Sequence, residues 1–317
     1  MAPACGRGLL FIGGGVAMLD NLMVLFDAPV LNIQLLLDGV LIGAIFAMAA
    51  YGLALVWGVM NVKNLAQGDF VIMGGYIAYL FTKVNIHPLY AVPVAFVLMF
   101  GFGWLVYVTI IRRVIDKELF TSLLATFGLA ILLQQAMNLM FGSDVQTAES
   151  GFDTRFLFGG MVSIAEIKFV ALVVAIALSA GVVLFMKRSR MGQAIRATAQ
   201  DARAARVLGI NTDRVYAFTF SLNSAICGAA GALIAMIWVI QPYFGTVYSI
   251  RSFVIVTFAG LGNLAAVIVA ALGLGAAEQF AAFIFGAQFE VASVVCMLVA
   301  VLIWRQIQQA RKREVVE

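Results

Sequence analysis

The sequence predicts an all-α polytopic membrane protein with about eight to ten transmembrane or re-entrant helices. Three observations support this fold class: 63% of the 317 residues are hydrophobic, only 11% are charged, and the mean hydropathy is +1.04. Ordinary soluble domains have about 25% charged and about 45–50% apolar residues. A water-soluble globule of this size could not bury so much apolar surface. The composition therefore excludes a soluble enzyme.

Apolar runs separated by short polar loops give the order of the predicted spans. They lie at about 33–59, 69–82, 91–111, 120–141, 166–186, 215–240, a broken pair within 252–285, and 289–304. The first run and the broken pair contain glycines, which let transmembrane helices approach closely and can interrupt them. Interrupted helices near both ends of a transporter can line a substrate path, although the two regions share no residue-level repeat.

The charges of the loops predict the orientation of the chain. Residues 187–214 contain seven Lys or Arg against two acids, whereas residues 142–165 contain three acids against Arg155 alone. Basic loops are retained on the cytoplasmic side of a membrane. We therefore expect the 112–119 loop, the 187–214 loop and the C-terminus to face the cytoplasm, and 142–165 to face outward. The pair within 252–285 must then leave and return to the outer side, with a bend near Gly260–Leu264.

The sequence lacks the residue patterns of common catalytic and metal sites. Its three cysteines, Cys5, Cys227 and Cys296, have no metal-ligand spacing, and His87 is its only histidine. It contains no GxxxxGK[ST] phosphate loop and no Gly-Lys pair, so it cannot hold ATP phosphates in that way. Basic residues in short loops between apolar runs do not indicate nucleic-acid binding. We expect no enzyme activity, no metal and no cofactor in this chain.

The basic loop itself is predicted to form a helix over 192–210. Alanine is the best helix former and no proline interrupts the segment. Four of its residues share one helical face: Ile195, Ala199, Ala202 and Arg206. Gly209 is placed to end the helix in a left-handed conformation, and Asn211 to cap a following helix with Asp213 in its first turn. The helix is either a solvated or lipid-surface connector or a docking helix for a cytoplasmic partner.

Few ionisable residues lie within the predicted spans. Asp38, Asp69 and Glu278 are the candidates, with Glu290 nearer the end of a span. Charged side chains are costly in lipid, which makes a functional role the default hypothesis for each. The alternative is that each caps a broken helix or meets water at a re-entrant bend. Asp69 follows Gly68 and is placed to begin a helix, where a carboxylate stabilises the first turn.

Six motifs occur in a fixed order along the chain. They are Asp38–Ala47, Trp57–Asn61, Asn64–Phe70, Gly74–Tyr76, Gly192–Ala197 with Leu208–Asn211, and Gly260–Asn263. Together they resemble the LivH-type permease of the branched-chain amino-acid ABC importer family, over about 35–302. Two departures stand out. The family usually has His and Glu around the glycine of Gln67-Gly68-Asp69, and it often has Pro-Gly where this chain has Leu264-Ala265-Ala266.

The resemblance implies a multi-pass permease of the bacterial inner membrane, of the ABC importer type, that forms half of a translocation path. It implies branched-chain amino acids or related small polar solutes as substrates, with a second LivM-like permease, two cytoplasmic ATPase subunits and a periplasmic solute-binding protein as partners. The same scaffold also serves urea and short amides, or aromatic and dicarboxylic acids. A stand-alone secondary carrier is a further alternative, against which the scarcity of ion-coupling residues counts.

The sequence, taken with the resemblance, predicts a domain organisation and two sets of functional residues. Residues 1–30 form an N-terminal extension of uncertain role, 31–307 the transmembrane permease domain with the coupling loop 187–214, and 308–317 a basic cytoplasmic tail. The residues expected to couple to the ATPases are Gly192, Ile195, Arg196, Ala199, Ala202 and Gly209. The residues expected along the translocation path are Asp38, Asn64, Gln67, Asp69, Gly262, Asn263 and Glu278. We expect the bends at Asn64–Asp69 and Gly260–Asn263 to lie near the interface with the partner permease.

Overall fold

The computed structural model describes residues 21–115, 117–149, 151–157, 162–260 and 263–314. Within these ranges, seven helices are long and apolar enough to cross a membrane. Four shorter helices lie among them, and this arrangement confirms the predicted all-α polytopic fold class. Most of the predicted N-terminal extension and Gly262 lie outside the described residues.

The helices follow the predicted order of spans. They are α1 (Pro29–Met60), α2 (Gln67–Lys83), α3 (Ala91–Val106), α4 (Leu119–Phe141), α5 (Glu166–Arg188), α6 (Arg190–Gln200), α7 (Ala202–Val207), α8 (Thr212–Ile237), α9 (Gly245–Ala259), α10 (Leu264–Phe285) and α11 (Glu290–Glu314). A π-helical turn over Tyr107–Ile111 continues α3 to Val114. The predicted broken pair corresponds to α9 and α10. Since α11 runs to Glu314, the predicted boundary between permease domain and tail falls inside a helix.

Helix α8 and the part of α1 that begins at Gly39 are mostly buried and form the core of the bundle. Small residues let neighbouring helices approach α1 closely. At Gly39, an added Cβ atom would lie 2.5 Å from the Cα atom of Ala276 in α10. Aromatic side chains fill the wider spaces, as where Phe70 packs edge-on against Phe220. The other long helices bury one side only, and their large apolar side chains on the opposite side suit a lipid environment.

Two of the shorter helices, α2 and α9, lie within the bundle, and both begin about halfway along α1. After Met60 the chain returns along α1 without helical structure over 61–66, so that the Gln67 side chain reaches the carbonyl oxygen of Ala49. That return covers eleven residues of helix, about 16 Å. The ring of Tyr248 in α9 packs against Phe46 of α1, near the same depth. Such interrupted helices are tolerated in a membrane where protein buries the irregular backbone.

The two ends of the bundle differ in structure. One end, here called the basic end, carries Lys187, Arg196 and Arg305, and the guanidinium of Arg305 donates a hydrogen bond to the carbonyl of Phe258. The opposite end, the hairpin end, carries two antiparallel strands, β1 (Thr154–Leu157) and β2 (Val162–Ala165). The sequence analysis did not predict this hairpin. From their common depth, α2 runs toward the hairpin end and α9 toward the basic end.

The predicted bend between the two helices of the 252–285 region is confirmed. Helix α9 ends at Ala259, and Gly260 has a φ of +86°, a left-handed conformation that favours glycine. Asn263 precedes α10, and its side chain accepts a hydrogen bond from the backbone N–H of Ala266 at 3.1 Å. The lost proline of the family pattern is therefore not needed for the turn.

The predicted single helix over 192–210 is wrong, because the chain forms two helices, α6 and α7. Asp201 separates them in an extended conformation (φ −155°, ψ 106°), and its carboxylate accepts hydrogen bonds from the backbone N–H groups of Arg203 and Ala204. Such an N-cap interrupts a segment that alanine propensity alone would keep helical. The expected single face is consequently split, with Ile195 and Ala199 on α6 and Ala202 and Arg206 on α7.

The predicted ends of the loop are confirmed. Gly209 follows α7 with a φ of +84°, the left-handed conformation expected of a glycine after a helix. The side chain of Asn211 accepts a hydrogen bond from the backbone N–H of Arg214, and Asp213 lies in the first turn of α8. Ser189 caps α6 in the same way, accepting from the N–H of Gly192 at 2.8 Å.

Candidate functional site

A buried polar network surrounds Gln67 at the start of α2. The Nε2 atom of Gln67 lies 2.8 Å from the carbonyl oxygen of Ala49, 2.9 Å from Oδ1 of Asn223 and 2.9 Å from Sγ of Cys227. Its Oε1 atom lies 3.4 Å from Nδ2 of Asn64. All five of these residues are buried. The network therefore joins α1, α2 and α8 near the middle of the bundle.

The non-helical segment before α2 is fixed by side chains from neighbouring helices. The Ser249 hydroxyl of α9 accepts from the N–H of Gly68 at 2.8 Å and donates to the carbonyl of Leu65 at 2.9 Å. The Thr126 hydroxyl of α4 accepts from the N–H of Leu65 at 3.3 Å and lies 3.2 Å from the carbonyl of Lys63. These contacts satisfy backbone groups that helical structure leaves free, which a membrane interior requires.

Asp69 occupies the point where the first turns of α2 and α9 meet. It is buried, and its Oδ1 atom accepts a hydrogen bond from Nε2 of Gln134 at 3.0 Å. An added Cβ atom at Gly245 would overlap that oxygen, so the glycine permits the close approach of α9. The N-terminal turns of helices favour negative charge. The expectation that Asp69 lies in the first turn of a helix is confirmed.

A second polar cluster centres on Arg251, toward the hairpin end from the network. The Nε atom of Arg251 donates to Oε1 of Glu278 at 2.9 Å, and its Nη2 atom donates to Glu290. Its guanidinium carbon lies 4.7 Å from the ring centre of Phe46 and 5.6 Å from that of Tyr248. Arg251 is 8% exposed and Glu278 is 1% exposed. The cluster joins α1, α9, α10 and α11.

The sequence analysis missed Arg251, Asn223 and Ser249. Arg251 is the only basic residue between Arg214 and Arg305. It lies one residue before the predicted 252–285 region. As a single basic residue in a long apolar run, it could have been identified as a candidate from the sequence. Asn223 and Ser249 carry no comparable signal, because single polar residues in apolar runs are common in membrane helices.

The structure brings only some of the predicted path residues together. Asn64, Gln67 and Asp69 meet at the centre, and Glu278 joins the neighbouring Arg251 cluster. Asp38 lies at the hairpin end, where Oδ1 of its carboxylate is 2.7 Å from Nζ of Lys168. Asn263 caps α10 near the basic end, so the two glycine-rich bends do not form one site.

The residues that the sequence analysis expects to couple to the ATPases lie at the basic end, around α6. Gly192 and Ile195 are buried against the bundle, and a Cβ atom at Gly192 would lie 2.6 Å from Cα of Met186 in α5. Arg196 and Ala199 are exposed, and Ala202 is half-buried. A cavity of about 390 Å³ lies beside α6 and is lined by α6, the ends of α1 and α5 and the start of α10. Helix α6 thus docks through one face and presents the other to the surroundings.

The turn between α6 and α7 is held by a charged cap. The backbone N–H groups of Ala204 and Arg203 donate to the carboxylate of Asp201 and lower its pKa below the ordinary value of 3.8. Asp201 is therefore ionised at neutral pH. The cap keeps its hydrogen bonds there and loses them only as the pH falls through the lowered pKa.

Interrupted helices that meet near mid-membrane around polar side chains are typical of transporters. The fold, the buried network and the docked segment at the basic end define an integral, multi-pass membrane transport protein. A family model described as "Branched-chain amino acid transport system / permease component" matches residues 35–304. The chain belongs to this family of permeases, as its motifs indicated.

Relatives of known assignment cover most of the chain. The high-affinity branched-chain amino acid transport system permease protein BraD of Pseudomonas aeruginosa is 29% identical over 86% of this chain and 94% of its own length. LivH of Salmonella typhimurium is 27% identical over 86% of this chain and 92% of its own length. A probable LivH of Methanocaldococcus jannaschii is 27% identical over 85% of this chain and 90% of its own length. No solved structure matches the chain. Together these findings assign a multi-pass protein of the bacterial inner membrane.

Proposed function

We propose that this chain is one of two permease subunits of an ATP-driven importer for branched-chain amino acids and related small polar solutes. Its partners in this proposal are a second, LivM-like permease, two cytoplasmic ATPase subunits and a periplasmic solute-binding protein. The substrate class rests on the names of the relatives, which are branched-chain amino acid transport proteins. The need for separate ATPases rests on the sequence, which has no phosphate loop.

The docked helix α6 is the observation that carries the coupling proposal. Its buried face, with Gly192 and Ile195, fixes it to α5, while Arg196 and Ala199 are exposed at the basic end. A short helix held rigidly on one side can transmit movement of a partner bound to the other side. Ala202 and Gly209 complete the proposed coupling surface through the second helix and its terminal turn. The small side chain of Ala199 would let a groove of the ATPase come close to the helix backbone.

The proposed translocation path follows the interrupted helices α2 and α9. Asn64, Gln67, Asp69 and Glu278 supply polar groups near its middle. Asp38 at the hairpin end and Asn263 at the basic end lie toward its two openings, and Gly262 is proposed with Asn263. Interrupted helices expose backbone N–H and C=O groups to the path, whereas a continuous helix pairs these groups internally. The second permease would close the path on its other side.

An overpacking substitution tests the coupling proposal. Ala199→Trp should weaken attachment of the ATPase subunits, because the bulky ring cannot fit a surface shaped for a methyl group. Ala177→Trp is the matched control, since Ala177 is exposed on the membrane-spanning helix α5. The measurement is co-purification of the ATPases with the affinity-tagged permease, together with uptake of radiolabelled L-leucine. Undiminished attachment and uptake in Ala199→Trp would leave α6 as a simple connector.

A further inference from the structure

A pocket of about 270 Å³ opens beside Arg251, on the hairpin-end side of the Gln67 network. Its walls include the rings of Trp238, Phe244 and Tyr248, and its charged groups come from Arg251 and Glu290. Ligand pockets for larger, drug-sized molecules span about 300–1,000 Å³. This pocket, which we call the Arg251 pocket, has the size for a small solute and the composition of a binding site. A solute arriving from the hairpin end would reach it before the centre.

The charges around the pocket are unbalanced. One guanidinium faces two carboxylates, and only Glu290 among them is accessible: its side chain is 37% exposed, against 2% for Glu278 and 9% for Arg251. Arg251 and Glu278 thus form a fixed, buried pair, while Glu290 is a partner that can exchange. With all three groups ionised, the cluster has one negative charge in excess and attracts a cation.

The guanidinium retains capacity for a second anion. An arginine has five N–H donors, and the two contacts with Glu278 and Glu290 employ one donor each. Arginine binds carboxylates in a two-point geometry that fixes their orientation. The stacking of Arg251 on Phe46 and Tyr248 holds the guanidinium plane in place. The pocket therefore presents a positioned anion site beside an accessible carboxylate.

We propose that the Arg251 pocket binds the zwitterionic head of an α-amino acid with an apolar side chain. Arg251 would take the carboxylate of the solute, Glu290 its ammonium group, and the rings of Trp238 and Phe244 its side chain. This inference rests on the proposed function and adds to it the place of substrate recognition within this subunit. Stability alone gives little reason for such a cluster, since apolar residues of similar volume often stabilise a protein as well as a buried ion pair does.

The test uses the purified complete transporter without its binding protein. L-leucine in the millimolar range should raise the unfolding temperature of the wild-type complex, because a ligand that binds only the folded state stabilises it. Isoamylamine, which lacks the carboxylate, and 4-methylpentanoate, which lacks the ammonium, should have weaker effects. Glu290→Gln should raise the leucine concentration needed for half of the stabilising effect about tenfold or more. Arg251→Lys should raise it similarly, because lysine cannot bind a carboxylate at two points.

The controls separate binding from structure. Glu290→Gln leaves the contact between Arg251 and Glu278 in place, so the variant should assemble with the same yield as the wild type. Glu166→Gln is the matched control, since Glu166 also begins a helix and also pairs with an arginine, Arg155. It should respond to leucine like the wild type.

Two results would overturn the inference. One is an equal leucine effect in Glu290→Gln, Arg251→Lys and the wild type. The other is no leucine effect in a wild-type complex that imports leucine normally. Failure of the proposed function would look different: the complete wild-type transporter would not import any branched-chain amino acid.

Discussion

Replacing Gln67 by methionine removes the centre of the polar network without opening a cavity, since methionine has a similar length and no hydrogen-bond donor. Asn223 then loses the donor at 2.9 Å from its Oδ1 atom, and the carbonyl of Ala49 loses the donor at 2.8 Å. A buried polar group left without its partner costs about 1–3 kcal/mol in proteins. Interhelical hydrogen bonds in a membrane protein average about 0.6 kcal/mol.

The carbonyl of Ala49 keeps its partner within α1, whereas Oδ1 of Asn223 keeps only the weak thiol donor of Cys227 at 3.7 Å, so most of the loss falls on Asn223. We therefore expect Gln67→Met to destabilise the subunit by about 1–3 kcal/mol. At about 2–4 °C per kcal/mol, the unfolding temperature should fall by about 2–12 °C.

Thermal unfolding of the purified complex, followed by loss of the monodisperse peak on size exclusion, measures this effect. The matched control is Gln135→Met, because Gln135 is exposed on α4 and its replacement removes no buried contact. It should unfold at the wild-type temperature. If Gln67→Met and Gln135→Met unfold at the same temperature as the wild type, the network does not hold α1, α2 and α8 together. The reasoning from hydrogen-bond geometry would then be wrong.

Three further predictions follow from packing, charge and orientation. Gly231→Ala should prevent correct folding and lower the yield of assembled complex, because its Cβ atom would overlap a backbone oxygen of α2; Gly181→Ala, which meets no neighbour within 4 Å, should be neutral. Asp69→Asn should lower leucine uptake while assembly and basal ATPase activity persist, and unchanged uptake kinetics would remove Asp69 from the path. In a cysteine-free background, a membrane-impermeant thiol reagent applied to intact cells should label a cysteine at Asp144 but not one at Gln193. The reverse pattern would overturn the predicted orientation.

The sequence predicted the spans well because lipid imposes a simple rule on them. Each crossing needs a long apolar run with its backbone paired internally, and such runs are visible without any knowledge of neighbouring helices. The order of helices followed directly from this rule, and the bend after Ala259 followed from the charges of the flanking loops and the glycines near it. Caps were also predictable, as at Asn211, because they depend on residues adjacent in the chain.

Features that depend on local competition or distant contacts were not predictable in the same way. Asp201 ends α6 because its carboxylate caps α7. The segment could form either one continuous helix or two helices separated by this cap, and both are locally favourable. The two strands at 154–157 and 162–165 were missed for another reason: the Gly159-Gly160 pair between them is a turn signal that the sequence analysis did not use.

The buried site was only partly predictable from the residues themselves. Asp69 and Glu278 were identifiable because charged residues are rare in apolar runs. Their partners, Gln134 and Arg251, come from other helices, so only the packing of the bundle reveals them.

Reconstitution of transport tests the central proposal most directly. The complete transporter, with both permeases, both ATPases and the solute-binding protein, would be placed in liposomes and assayed for uptake of radiolabelled L-leucine. We predict that uptake requires ATP, both permeases and the binding protein, and that it continues when ionophores abolish all ion gradients. Leucine uptake by this chain alone, driven by an ion gradient and independent of ATP, would contradict the proposal and identify a secondary carrier.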